Sequence, residues 1–290
     1  MFNYAVSNWI YGGEELETTC MRLHRFGYYA IELVGEPERY KPDQVKELTL
    51  KYNLEVSSVL SWCLWPLEDR DLAHPNHEYR AKAIAYIMRN VDLAAEVGAP
   101  VVIVIPAPSG RPAPHRNPTV AADWQKAAKE EWELAVISVR EAASYAQKKN
   151  ISIAVEPINR FETFLVNRVD QGLNFVKEVG LQNVKLHLDT FHMNIEDSHM
   201  GEAILKAGSL LTSMHLSDSN RCAIGRGHID FKEILKALAD IKFQGSLILE
   251  PLPLHPNPFV AADLEEYRSA WDSDIESSIN VLRELESCCG

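Results

Sequence analysis

Four residues stand at the ends of four successive apolar runs, and each can hold a metal ion. They are Glu156 in IAVEP, Asp189 in VKLHLD, His215 in LTSMHL and Glu250 in LILEP. If the runs are β-strands, side chains alternate between faces. Ala154 then shares a face with Glu156, His187 with Asp189, Ser213 with His215, and Ile248 with Glu250. If those faces point inward, three carboxylates and one imidazole converge at one level. A single acidic residue at a strand end is usually a cap or a solvated loop residue. Four on consecutive strands, two of them followed by proline, point to a metal site. The donor set favours a hard-to-borderline divalent cation: Mn²⁺ first, with Mg²⁺ or Co²⁺ as alternatives. Zinc is less favoured because no cysteine belongs to the set.

Elements that bring such residues together alternate along the whole chain. Short apolar runs bounded by turn residues predict strands over 2–8, 29–35, 55–62, 100–107, 151–157, 184–190, 211–218 and 246–251. Amphipathic segments between them predict helices over 14–26, 42–52, 77–97, 120–149, 169–179, 202–207, 231–241 and 263–286. Eight strands alternating with eight helices is the count of a (β/α)₈ barrel, whose chemistry sits at the C-terminal strand ends. A doubly wound sheet is the competitor. It would place a Gly-rich loop after the first strand, where this chain has Trp9-Ile10-Tyr11-Gly12-Gly13. No nucleotide cofactor is therefore expected. No shift of composition marks a boundary, so residues 1–290 are expected to form one α/β barrel domain. The one unusual insertion is the proline-rich, basic stretch 106–118, PAPSGRPAPHRNP.

Composition removes several function classes. A chain of 290 residues with 46% hydrophobic and 24% charged residues can bury a sizeable core. A net charge of −12 repels phosphate backbones and anionic membrane surfaces while favouring cations. The five cysteines, Cys20, Cys63, Cys222, Cys288 and Cys289, show neither disulfide nor zinc-site spacing. The N-terminal residues lack a basic segment followed by an apolar one, and the longest apolar stretch, 99–108, is too short to span a bilayer. A cytoplasmic protein with no nucleic-acid or membrane partner is expected.

The segments VEPINRFE (155–162), HLDTFHMNIE (187–196), HLSDSNR (215–221) and LILEP (247–251) resemble the D-tagatose 3-epimerase family, which includes the D-allulose 3-epimerases. The spacings agree: 33 residues from Glu156 to Asp189, 26 to His215 and 35 to Glu250. The resemblance is specific over the second half of the chain and only architectural over the first. It implies a (β/α)₈ barrel acting as a homodimer or homotetramer on a small keto-sugar. It also implies roles: Glu156, Asp189, His215 and Glu250 as metal ligands, Glu156 and Glu250 as acid and base, and Glu162, His192 and Arg221 as contacts to substrate oxygens.

The implied chemistry is consistent with the residues. Epimerising C3 of a ketose means removing a weakly acidic proton, which leaves a cis-enediolate. A cation chelating the carbonyl and the neighbouring hydroxyl stabilises that anion. Two carboxylates on opposite faces then let one remove a proton and the other return it. The chain departs from the family at Ser217-Asp218, where ketose 3-epimerases tend to have Gly-Glu. That keeps alternatives open on the same metal site: a keto-glycoside epimerase or lyase, an inosose isomerase or dehydratase, or a hydroxypyruvate isomerase. A non-catalytic sugar-binding barrel and an apurinic-type endonuclease fit less well.

Other residues carry two readings. His187 is expected to support the ligands from below or to touch substrate. Trp9, Trp62 and Trp65 are either core or an apolar wall for the sugar. Arg111, with His115 and Arg116, either meets substrate, as a phosphate or second-ring contact, or lies on a solvated lid or at an intersubunit contact. Glu36 reads as solvated, Cys63 as a small buried residue and His228 as a loop residue.

Overall fold

A computed structural model describes residues 1–62, 68–254, 260 and 264–287. Eight parallel strands close into a barrel in sequence order, with β8 pairing back onto β1. The strands are β1 (Asn3–Ser7), β2 (Ala30–Gly35), β3 (Glu55–Ser61), β4 (Val101–Val104), β5 (Ser152–Val155), β6 (Val184–Asp189), β7 (Leu211–Leu216) and β8 (Ser246–Leu249). Their residues are buried almost throughout, as in β4, where all of VVIV is covered, because helices cover the outer face of the sheet. The order β–α–β–α predicted from the sequence is the observed order, with no strand end drawn in by more than three residues.

The helices are α1 (Leu16–Arg25), α2 (Pro42–Lys51), α3 (His77–Val97), α4 (Ala121–Gln147), α5 (Val169–Val179), α6 (Thr190–Glu196), α7 (Met200–Ala207), α8 (Phe231–Asp240) and α9 (Arg268–Ser287). Helices α3 and α5 match their predicted spans. Each ends at a glycine in the left-handed region, Gly98 at φ 81° and Gly180 at φ 73°, where other residues are strained. Two differences matter. The sequence predicts no helix over 190–196, yet α6 starts directly from β6. Asp189 ends the strand and also caps the helix, accepting from the Phe191 amide at 2.8 Å. The last helix begins at Arg268 rather than 263. No helix among the described residues is long and apolar enough to cross a membrane.

Register sets the level of the site. Asp189 on β6 lies opposite His215 on β7, and His215 lies opposite Ile248 on β8. Glu156 and Glu250 come one residue after their strands, but their amides continue the ladders, donating at 3.0 Å to Val104 O and Leu216 O respectively. At the entry to β8, Gly245 packs against the β7 backbone. A Cβ there would stand 1.8 Å from Thr212 O. Gly245→Ala is therefore expected to lower stability by about 1–3 kcal/mol, read as a shifted urea midpoint. An unchanged midpoint would show that the backbone yields at no cost.

Candidate metal centre

A cavity of about 130 Å³ opens at the C-terminal ends of the strands. Glu156, Glu162, His192, His215, Arg221 and Glu250 form its polar side, and Trp9, Leu60, Trp62, Ile105, Ile158, Phe191 and Leu252 its apolar side. This is the face where a parallel barrel presents loops and strand ends, and the sequence placed the site there.

All four proposed ligands are buried and close together. His215 Nδ1 lies 3.5 Å from Glu156, and its Nε2 lies 3.3 Å from Glu250. Arg221 bridges Asp189 and Glu250, donating to Glu250 at 2.6 Å. Trp9 Nε1 also donates to Glu250. His192 Nε2 stands 3.6 Å from Asp189. Burial works against the imidazolium of His215, yet the charges of Glu250 and Glu32 prevail and raise its pKa well above the usual histidine value. Burial lifts the Glu250 carboxyl to about 7 against the pull of His215 and Arg221. Burial also opposes ionisation of Asp189, but Arg221 overcomes it and holds that pKa below the usual value.

This donor set fits a divalent cation. Glu32, Glu156, Asp189 and Glu250 surround one imidazole and one guanidinium. With His215 neutral, as a ligand imidazole must be, and the other groups ionised, three negative charges remain uncompensated in a buried space. A cation of charge two, held by carboxylate oxygens and one imidazole, offsets most of that excess. The wider cluster Glu68, His74 and His115 does not fit a metal. His74 Nδ1 accepts the Asn76 amide at 2.9 Å, so its proton sits on Nε2, the nitrogen a metal would need bare.

The three proposed substrate contacts also meet at the cavity. Ser109 Oγ and Asn159 Nδ2 donate to Glu162 at 2.9 and 2.8 Å. The Asn159 amide donates to His192 Nδ1, which leaves the Nε2 proton of His192 facing Asp189. Arg221 holds φ at +63°, an uncommon backbone state for a side chain of its size. His187 is buried below the ligands and lines no part of the cavity. Its ring meets that of His215 edge-on at 4.0 Å, and Nδ1 bonds Ser213 Oγ at 2.7 Å. Burial keeps its pKa well below the ordinary value. Trp9 and Trp62 pack at 5.7 Å and form part of the apolar wall. Trp65 and Cys63 lie outside the described residues.

Two expectations need correction. Arg111 does not reach the cavity. Its guanidinium is buried between Asp71, at 3.0 Å, and Glu131, and rests over the Phe164 ring. Two buried carboxylates hold its Nη1 and Nη2 and turn the guanidinium away from the cavity. Glu36 is not a solvated residue, since it is half-buried and paired with Arg70 at 2.6 Å. One residue of the site was missed altogether. Glu32, in the middle of β2, is fully buried and lies 3.0 Å from His215 Nε2. The signal was present as a lone carboxylate inside the apolar run AIELVG.

The family described as the xylose isomerase-like TIM barrel matches residues 21–285. A D-psicose 3-epimerase of Ruminiclostridium cellulolyticum is 48% identical over 123 residues, 42% of each chain. A D-psicose 3-epimerase of Enterocloster bolteae is 41% identical over 159 residues, 52% of each chain. The aligned segments thus span about half the length of these curated relatives. Among solved structures, a D-psicose 3-epimerase with D-tagatose from Clostridium cellulolyticum H10 superposes with a TM-score of 0.83 at 25% identity, covering 98% of this chain and 99% of that one.

Proposed function

The chain belongs to the xylose isomerase-like TIM barrel family, and from that premise we propose that it is a divalent-cation-dependent epimerase of a ketose at C3. The observation that carries this reading is the pair Glu156 and Glu250. Both are buried, both line the cavity, and they come from strands three places apart in the barrel order. Binding a sugar does not require two opposed carboxylates in so costly a setting. Moving a proton from one face of a carbon to the other does.

In this reading Glu156, Asp189, His215 and Glu250 hold the cation, with Mn²⁺ preferred. When bound, it supplies positive charge to the carbonyl and the neighbouring hydroxyl as the enediolate develops. Glu156 and Glu250 take opposite faces of C3, one removing the proton and the other returning one. Glu162 and His192, held by Ser109 and Asn159, fix hydroxyl oxygens. Arg221 adds positive charge near the anion. The wall of Trp9, Leu60, Trp62 and Ile105 covers the apolar face of the sugar and excludes water. We further assign a homodimer or homotetramer working in the cytoplasm, by analogy with the resembled family.

The test is proton exchange. The Mn²⁺-loaded protein is incubated in D₂O with fructose, tagatose, ribulose, xylulose, their phosphates, 3-keto-glucosides and an inosose, and NMR follows deuterium and product. Deuterium at C3 of a free ketose together with its C3 epimer is the expected result. Turnover of a keto-glycoside or inosose alone would keep the site and discard the substrate.

A further inference from the structure

Below the cavity, Glu32 makes two contacts that explain its burial. Ser58 Oγ donates to one carboxylate oxygen at 2.5 Å, and the other oxygen lies 3.0 Å from His215 Nε2. Glu250 also approaches that nitrogen, at 3.3 Å, but among the described residues the hydrogen bond of Nε2 goes to Glu32. The opposite ring nitrogen, Nδ1, faces Glu156 at 3.5 Å. Glu32 itself lines no part of the cavity. The chain Ser58–Glu32–His215 therefore runs from the barrel interior up to the proposed ligands.

We infer that Glu32 is a positioning residue: it accepts the Nε2 proton of His215, fixes that tautomer and ring orientation, and leaves Nδ1 as the nitrogen offered to the cation. This rests on the proposal above that His215 is a ligand. A neutral imidazole carries one proton, so a carboxylate that binds one nitrogen's N–H decides which nitrogen is bare. It also makes the bare nitrogen a better donor. The Ser58 hydroxyl in turn keeps Glu32 from rotating. The arrangement accounts for a charged side chain at the centre of an apolar strand, a position that is costly without such a partner.

The wild type is tested first. Calorimetric titration with Mn²⁺ establishes that the protein takes up the cation. A wild type that binds none overturns the metal centre itself, and this inference with it. The protein labelled with ¹⁵N at histidine and loaded with diamagnetic Zn²⁺ is then examined by long-range ¹H–¹⁵N NMR. His215 is expected to carry its proton on Nε2, with Nδ1 shifted by the metal. A proton on Nδ1 would overturn the inference without any variant. Glu32→Leu, of similar bulk and apolar, is expected to weaken Mn²⁺ binding about 10–100-fold. Glu32→Gln keeps an acceptor oxygen, so it retains the Nε2–H tautomer and loses less affinity. A folded Glu32→Leu protein binding Mn²⁺ within about twofold of wild type would overturn the inference, whereas a purely structural carboxylate would leave both tautomer and affinity in place.

Discussion

Glu156→Gln and Glu250→Gln each end net epimerisation, with turnover lowered by about 10²–10⁴-fold. Glutamine keeps the shape and an oxygen for the cation, but it cannot take up the C3 proton. The two variants are not expected to be equivalent in D₂O. With one carboxylate left, that group can still remove and return a proton on its own face. Each variant therefore washes deuterium into one epimer and leaves the other untouched, and the two variants choose opposite epimers. A single variant that still labelled both epimers would show that one base serves both faces. Because both residues are also proposed ligands, bound Mn²⁺ is measured alongside, so that loss of the cation is not mistaken for loss of a base.

Chelation gives the second large effect. Removing the cation is expected to bring turnover to background and to lower the melting temperature by several degrees, and Mn²⁺ is expected to restore both. A ligand at 100 times its dissociation constant stabilises the folded state by about 2.7 kcal/mol. For a domain of this class, each kcal/mol is worth roughly 2–4 °C. The cause lies in the cluster of Glu32, Glu156, Asp189 and Glu250, whose charge His215 and Arg221 offset only in part. Equal melting temperatures with and without chelator would mean that Arg221 and the imidazolium of His215 suffice.

The order of elements could be read because each buried parallel strand is a short apolar run and each helix an amphipathic one. Glu156, Asp189, His215 and Glu250 could be read because they interrupt those runs at corresponding places. What could not be read was pairing across distance. Arg111 sits in a proline-rich loop and looks solvated until Asp71 and Glu131, 40 and 20 residues away, are found on either side of it. Glu36 was misread for the same reason, its partner Arg70 lying 34 residues on. Helix α6 escaped because no turn residue separates it from β6. Asp189 serves as strand end, cap and proposed ligand at once, and a one-dimensional pattern registers only one of those duties. Glu32 was legible in principle, since a carboxylate flanked by Ile31 and Leu33 inside a strand requires a buried partner. Its partner, His215, is 183 residues away.

The origin of the two sides of the cavity has a consequence for how such a chain can change. The ionisable groups around the cavity come from β5 to β8 and the loops that follow them, while Leu60, Trp62 and Ile105 enter from the strand ends and loops of β3 and β4. Leu60 and Ile105 have apolar side chains that make no hydrogen bond to a carboxylate, so enlarging or shrinking them alters which molecule fits while the proton-transfer apparatus keeps its coordinates. Substitutions at Leu60 and Ile105, both in the first half of the chain, can then, one at a time, change which molecule fits. Asp189, His215, Arg221 and Glu250 have no such freedom, because they are bound to one another and must change together.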